Sequence, residues 1–92
     1  MHGEKCAIFD KTNGRILYEG SMRNGLYHGY GQLFHRSHEK NKPRILQYDG
    51  YFQKNMKWGV NGKEYDEYGH LIYCGSWKMN TRYGYGKAYR DR

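Results

Sequence analysis

Few side chains in this 92-residue sequence have both the type and the spacing that catalysis or metal binding requires. His35 and His38 lie three residues apart, a spacing compatible with metal ligation, but no third ligand is near in sequence, which favours a solvated loop. Cys6 and Cys74 have no C-x-x-C partner, so two reduced, half-buried thiols are preferred over a disulfide or a metal-binding pair. We therefore expect no metal and no cofactor.

A catalytic nucleophile with an adjacent base is not evident in the sequence either. Glu64, Asp66 and Glu67 form an acidic cluster, which we interpret as a solvated turn, with a partner contact as the alternative. The Gly-x-Gly pairs are not phosphate loops, because no helix follows them to present its amino terminus to an anion. The sequence predicts a protein that is not an enzyme.

Composition bounds the class of protein. A net charge of +7 and a shortage of Ile, Leu, Val and Phe would by themselves predict disorder. Eleven Tyr, two Trp and 13 Gly argue against it, because disordered chains are poor in aromatic residues. The sequence has no run of 18 apolar residues and no signal-peptide core, so we expect an intracellular, cytoplasmic protein.

Glycine and tyrosine recur in register along the chain. Tyr-x-Gly occurs three times, and a further Gly follows each Tyr at an offset of eleven residues. At an offset of seven stands Gly or Asn, the two types that most readily adopt positive φ. The repeat positions are Tyr18, Gly20, Gly25, Gly29 and Gly31 in the first unit, Tyr48, Gly50, Phe52, Asn55 and Gly59 in the second, and Tyr73, Gly75, Trp77, Asn80, Gly84 and Gly86 in the third.

A positive-φ residue between two short alternating segments predicts a β-hairpin in each unit. In the first unit we expect strands at about 16–22 and 29–34, with a turn at about 23–28. Period two places aromatic residues and glycines on one face, where a ring from the neighbouring hairpin can lie over bare backbone. Since one hairpin is marginal in water, several must stack. The predicted fold is all-β, a single-layer solenoid of stacked antiparallel β-hairpins.

We predict one domain over residues 1–92, without a linker. It comprises a partial unit at 1–17 and units at about 18–47, 48–72 and 73–92, with a charged loop insertion at 35–42. Residues 59–62 depart from Gly-x-Gly, which predicts a local bulge or an irregular return strand in the second unit. The chain begins and ends inside the repeat, so we expect a slice of a longer array or self-association through incomplete end hairpins.

The stretch from Tyr18 to Gly31 resembles the membrane occupation and recognition nexus (MORN) repeat, departing mainly at Met22, where the family usually has Trp or Phe. The third unit keeps the aromatic residue, and the second departs most. The resemblance covers nearly the whole chain outside residues 35–42. It implies a stack of β-hairpins that serves as a scaffold or adaptor, often at membranes or on cytoskeletal structures, and in the family binding to anionic phospholipid has been proposed.

Two surfaces are candidate binding sites. Rings on the face not used for stacking could contact a protein partner, with internal packing as the alternative. Basic residues of the turns would lie along one edge, extended by the charged loop, and could hold an anionic membrane weakly, with ordinary solvent exposure as the alternative. The candidate protein-binding residues are Tyr27, Tyr30, Tyr51, Tyr83 and Tyr85, and the candidate lipid contacts are Arg23, Arg36, Lys40, Lys42, Arg44, Lys54, Lys57, Lys78 and Arg82.

The leading hypothesis is a scaffold or adaptor module that binds a helix or an extended segment of a protein partner across its Tyr-rich face. The alternative is peripheral binding to anionic phospholipid membranes through basic hairpin turns. Single-stranded nucleic acid would also suit stacked rings beside a positive track. The resemblance gives nucleic acid no support, so we disfavour it.

Overall fold

Seven β-strands make up the fold in the computed structural model of the chain, which describes residues 5–36 and 43–89. The strands are β1 (Lys5–Phe9), β2 (Ile16–Arg23), β3 (Leu26–Phe34), β4 (Leu46–Gln53), β5 (Met56–Tyr65), β6 (Leu71–Lys78) and β7 (Thr81–Ala88). Each pairs antiparallel with the next, which gives one open sheet in sequence order. The described residues include no helix, and hence none that could cross a bilayer. The predicted all-β class is confirmed.

Two-residue turns close the hairpins β2–β3, β4–β5 and β6–β7. Both residues of each turn have positive φ, as in type I′ turns, whose twist matches that of the flanking strands. Positive φ was predicted for the second residue of each turn, and this is confirmed. The predicted turn at 23–28 is too long, because β3 already begins at Leu26. The angles are 53° and 79° at Asn24 and Gly25, 51° and 71° at Lys54 and Asn55, and 52° and 70° at Met79 and Asn80.

Each outer hairpin places a tyrosine ring over a pair of cross-strand glycines. In β2–β3 the glycines are Gly20 and Gly31, which face each other in the register, and a Cβ added to Gly31 would collide with the Tyr18 ring. The Tyr18 hydroxyl donates to the carbonyl oxygen of Ser21 at 2.6 Å, which fixes the ring over the glycines. We had expected a ring from the neighbouring hairpin. The ring belongs instead to the same strand, two residues before the first glycine.

The middle hairpin follows the same plan with one additional residue. Tyr48 pairs with Glu64, 16 residues later, whereas the corresponding pairs of the other two hairpins are 15 residues apart. Asn61 absorbs the extra residue with a φ of 60°, so the predicted bulge is confirmed. Gly62 therefore lies under the Tyr48 hydroxyl, where an added Cβ would be 2.7 Å from it. The Trp77 ring of the next hairpin also covers Gly62, so the prediction that a neighbouring ring lies over a glycine is confirmed at this position.

The core is a ladder of rings on one face of the sheet, which we call the aromatic face. Edge-to-face contacts join Tyr18 to Phe52 at 5.4 Å between ring centroids, Phe52 to Tyr48 at 5.0 Å, Tyr48 to Trp77 at 5.3 Å and Trp77 to Tyr73 at 5.3 Å. All five rings are buried. Because each aromatic ring buries ~150 to 250 Å², they replace the aliphatic core that the composition lacks.

The meander sends its connections to two opposite edges of the sheet. The three two-residue turns lie at one edge, which we call the turn edge, and the longer connections after β1, β3 and β5 lie at the other, the loop edge. At the loop edge Asp10 is 6% exposed and accepts from the backbone N–H and hydroxyl of Thr12. Residues 37–42 of the predicted charged insertion lie outside the described residues.

Candidate functional site

Four of the five tyrosines that the sequence offers as a binding surface lie opposite the aromatic face, on what we call the second face. Alternation along β3, β4 and β7 directs them there, since their neighbours in sequence contribute to the aromatic face. Tyr30 and Tyr51 face each other across β3 and β4, with ring centroids 5.8 Å apart in an edge-to-face contact. The exposed fractions are 48% for Tyr30, 53% for Tyr51, 57% for Tyr83 and 93% for Tyr85.

Tyr27 belongs to the other side of the sheet. The two-residue turn places it opposite Met22, and its ring stacks on Tyr18 with centroids 3.9 Å apart and planes 11° from parallel. It also contacts Phe52 edge to face at 5.5 Å. Tyr27 is therefore a partly buried member of the core cluster and does not share a surface with the other four tyrosines.

A hydrogen bond orients the Tyr30 ring. Its hydroxyl donates to Asp49 Oδ1 on the neighbouring strand. This hydrogen bond, with a smaller contribution from burial, raises the pKa of Tyr30 to about 12. Open grooves of about 380 Å³ flank the ring on either side, one reaching Lys5 and Gln32 and the other reaching Tyr51 and Lys63. Tyr30 thus forms a fixed ridge between two shallow depressions.

Charge is unevenly distributed over the second face. The carboxylates of Glu19 and Asp49 lie beside Tyr30 on β2 and β4. Lys63 and Lys87 lie on β5 and β7, where both pair with Cys74 in the register and so share its face. The Lys78 Nζ lies 5.1 Å from the centroid of the Tyr83 ring. The half of the second face formed by β5 to β7 is therefore basic and carries Tyr83 and Tyr85.

Two of the candidate lipid contacts lie on the aromatic face, at the position that Tyr27 occupies in the first hairpin. The Lys57 Nζ is 5.4 Å from the ring centroid of Tyr48 and 5.0 Å from that of Trp77, and burial lowers its pKa. The Arg82 guanidinium lies 4.6 Å from the Tyr73 centroid and donates to Glu64 Oε1 through Nε at 3.0 Å and Nη2 at 2.8 Å. Both cations cover rings of the core.

The single basic edge that we expected is divided. Arg36 and Arg44 lie at the loop edge, because the meander returns there after β3. Arg36 Nη1 donates to Asp10 Oδ2 at 3.1 Å, and Arg44 lies 4.8 Å from the Phe34 ring centroid. Lys40 and Lys42 lie outside the described residues.

The turn edge keeps a smaller basic set. Arg23 and Lys54 line one groove of about 310 Å³, together with His28. The backbone N–H of Lys54 donates to His28 Nδ1 at 3.4 Å. Lys78 is the last residue of β6 and lies at the same edge. Of the nine predicted lipid contacts, three therefore lie at the turn edge and take no part in the ion pairs and ring contacts described for the aromatic face. They are Arg23, Lys54 and Lys78.

The second residue of two turns has a role that we did not predict. Asn55 Oδ1 accepts from the backbone N–H of Tyr27 at 2.7 Å, and the Asn55 backbone N–H donates to the Tyr27 carbonyl at 2.9 Å. Asn80 repeats both bonds with Lys57, at 3.0 Å and 3.1 Å. The signal in the sequence was Asn rather than Gly at this position, which we interpreted only as a preference for positive φ.

The described residues hold no cluster of three or more His, Cys, Asp or Glu that could bind a metal ion. Cys6 and Cys74 are both half-buried and are not joined in a disulfide. No protein-family model matches the sequence, and no curated protein matches it either.

Proposed function

We propose that this chain is a non-enzymatic scaffold module, a single-layer solenoid of MORN-type β-hairpins, that binds an acidic segment of a protein partner across its second face. The repeated unit of tyrosine ring, glycine pair and two-residue turn supports the fold assignment, together with the resemblance of Tyr18 to Gly31 to the MORN repeat. Binding would use Tyr30, Tyr51, Tyr83 and Tyr85 with the lysines beside them.

The observation that carries this proposal is the division of the tyrosines between the two faces. The ladder on the aromatic face is continuous through five buried rings and includes none of the four tyrosines of the second face. These side chains therefore expose apolar area without contributing to the core. Tyrosine is enriched in protein interfaces, where its ring supplies a large contact area.

The charge of the second face selects the partner. Lys63, Lys78 and Lys87 lie on the half of the face formed by β5 to β7, and the whole chain carries a net charge of +7. An acidic segment would gain both electrostatic attraction and contact with Tyr83 and Tyr85. Complementary charge of this kind increases the association rate and makes the complex sensitive to salt.

The test is capture of binding partners by the 92-residue chain, followed by peptide tiling of each captured protein. We expect acidic tiles to bind with an affinity that falls about tenfold between low and physiological salt. The variant Tyr51→Ser with Tyr85→Ser should bind the same tiles at least tenfold more weakly, because it removes two exposed rings from the face.

The matched control is Tyr68→Ser, which removes a ring that is 71% exposed at the loop edge. It should leave tile binding unchanged. Equal binding by the Tyr51, Tyr85 variant, or a set of bound tiles with no acidic bias, would refute the proposal.

A second candidate function, peripheral binding to an anionic membrane, is favoured by the groove that brings Arg23, His28 and Lys54 together at the turn edge. Each Lys or Arg near an anionic leaflet contributes ~1 kcal/mol. Vesicles containing phosphatidylserine should therefore sediment the chain at low salt, and Arg23→Glu should reduce this several-fold. Lys11→Glu, the same charge change at the loop edge, is the control, and equal loss from both variants would exclude this groove as the contact.

A further inference from the structure

The junction between successive hairpins is built twice in this chain from the same contacts. At the β3–β4 junction the turn residue Asn55 makes two hydrogen bonds to the backbone of Tyr27, and at the β5–β6 junction Asn80 makes the same two bonds to Lys57. Tyr27 and Lys57 hold equivalent places, each opposite the residue four positions after the repeat tyrosine. Because the same contacts form both junctions, they predict which contacts a third junction between hairpins would require.

An aromatic residue three positions before the asparagine supplies the second part of each junction. Phe52 contacts the rings of Tyr18 and Tyr27 in the hairpin before it. Trp77 contacts Tyr48 and donates from Nε1 to the carbonyl oxygen of Gly62 at 3.1 Å. Each arriving hairpin therefore carries the pattern aromatic-x-x-Asn, with the asparagine as the second turn residue.

β7 presents the receiving half of this junction with no strand on its outer side among the described residues. Arg82 pairs with Trp77 as Lys57 pairs with Phe52, so the Arg82 backbone N–H and C=O point away from β6. Gly86 takes the place of Gly62, because it faces Gly75 beneath the Tyr73 hydroxyl. Every residue of β7 is exposed. Such an edge is a ready template for another strand.

We propose that β7 is a docking edge for a β-hairpin of another polypeptide whose outgoing strand and turn carry aromatic-x-x-Asn. The asparagine would bond to the backbone of Arg82, and the aromatic residue would pack against Tyr73, with a tryptophan N–H reaching the Gly86 carbonyl. This edge is separate from the second face, so the inference does not rest on the proposed function.

A second copy of the chain does not supply this hairpin. Its first hairpin has Met22 and Gly25 at the two required positions, and β1 already covers the outer side of β2. Its other two outgoing strands, β4 and β6, are each paired on both sides. The proposed occupant is therefore a hairpin other than the three of this 92-residue sequence.

The probe is a synthetic, fluorescently labelled peptide with the sequence of residues 71–89, which contains Trp77 and Asn80, titrated with the intact 92-residue chain. A lone hairpin is marginal in water, so we expect it to gain strand structure on binding. Anisotropy should show saturable binding. Peptides with Asn80→Ala or Trp77→Ala should each bind about tenfold or more weakly, because each loses a hydrogen bond of the junction.

Two variants of the intact chain locate the site. Arg82→Pro removes the outward N–H without breaking a bond to β6, a position where an edge strand tolerates proline, and it should abolish binding. Arg82→Ala keeps the N–H and loses only the cation over Tyr73, so it should still bind the peptide, at most several-fold more weakly. If Arg82→Pro does not fold, the comparison of the Asn80→Ala and unaltered peptides decides instead.

Hydrogen exchange should show new protection at the Arg82 amide when the peptide binds. Equal binding of the Asn80→Ala and unaltered peptides, or unchanged exchange at Arg82, would overturn the proposal. A dimer of the chain alone that Arg82→Pro dissociates would overturn the assignment to a different polypeptide. The Tyr51→Ser variant should leave peptide binding unchanged, which separates this edge from the second face.

Discussion

The first hairpin, β2–β3, and the third, β6–β7, share a frame, by which we mean the repeat tyrosine and the glycine pair beneath its ring. They differ in the cover, which is the side chain that lies over that ring. In both, a repeat tyrosine lies over two cross-strand glycines and donates its hydroxyl to a carbonyl three residues on, at 2.6 Å for Tyr18 and 3.1 Å for Tyr73. Over Tyr18 lies the stacked ring of Tyr27, whereas over Tyr73 lies the Arg82 guanidinium. Within residues 5–36 and 43–89, β3 is paired on both sides and β7 on one.

This difference shows that the frame and its cover obey separate constraints. The frame requires that two cross-strand positions have no side chain, and any hairpin of the sheet meets this requirement with two glycines. The cover depends on neighbours, because a ring at this position is buried only when another hairpin follows, as Phe52 follows Tyr27. At the edge, a cation keeps its charge in water while its apolar stem covers the ring.

The largest expected difference comes from a methyl group placed in the frame. Gly31→Ala would put its Cβ into the Tyr18 ring, which Tyr27 and Phe52 hold in place. We expect it to destabilise the chain by about 3 kcal/mol, at the upper end of overpacking costs. Gly86→Ala meets the Tyr73 ring in the same way, but this ring lies beside the exposed edge and can shift, so we expect about 1 kcal/mol.

Urea denaturation of both variants measures this difference in free energy of unfolding. A loss of stability from Gly86→Ala equal to or greater than that from Gly31→Ala would show that the frame of the third hairpin is at least as rigid as that of the first. The idea that the cover confers rigidity would then be wrong.

The next effect is removal of the cover itself. Tyr27→Ala loses a partly buried stacked ring, and we expect a loss of about 2 kcal/mol, below the 3 to 5 kcal/mol typical of a fully buried aromatic residue. Arg82→Ala loses a partly exposed ion pair and a cation–π contact, for which we expect about 1 kcal/mol or less. Thermal denaturation at two salt concentrations distinguishes them, since only the Arg82 contribution should shrink as salt rises.

A smaller difference is expected at the turns. Asn55→Gly keeps positive φ but removes the amide that accepts from Tyr27, so we expect a loss of about 1 kcal/mol. Asn24→Gly makes the equally conservative change at the first residue of the first turn, and we expect almost no change. Measured free energies that agree within error would indicate that the Asn55 amide adds no stability to the hairpin junction.

Much of the fold follows from the spacing of Tyr and Gly in the sequence. The recurring Tyr-x-Gly predicts the hairpins, and the type at offset seven predicts positive φ at Gly25, Asn55 and Asn80. The additional residue of β5 was also visible in the sequence as Gly59-Val60-Asn61-Gly62. Its consequence was not, because the Gly-x-Gly spacing of the other two units places Asn61, and not Gly62, at the position of the second glycine. Only the register shows that Gly62 lies under the Tyr48 hydroxyl.

The side of the sheet on which each residue lies was harder to predict, because it depends on the length of the turn. The sequence predicts a turn at about 23–28 in the first unit, whereas the structure has two-residue turns, in which even Lys54 and Met79 have positive φ although neither type favours it. A two-residue turn places Tyr27, Lys57 and Arg82 opposite residues of the aromatic face. When the length of the turn is not known, the alternation of side chains along one strand does not determine the face on which residues of the next strand lie. For this reason the sequence predicted Tyr27, Lys57 and Arg82 to be surface contacts.

The buried tyrosine hydroxyls of the first hairpin also affect stability in a way that vanishes at neutral pH. Burial raises the pKa of Tyr18 from 10.0 to about 12, and it raises the pKa of Tyr27 above 10.0 as well. Between pH 10 and pH 12 the unfolded chain has lost protons that the folded chain keeps, so stability must fall as the pH rises. Tyr18→Phe should make this decline shallower than that of the unaltered chain. Urea denaturation at pH 9, 10 and 11 gives the slopes, and an unaltered slope for Tyr18→Phe would mean that the Tyr18 hydroxyl is not held away from water.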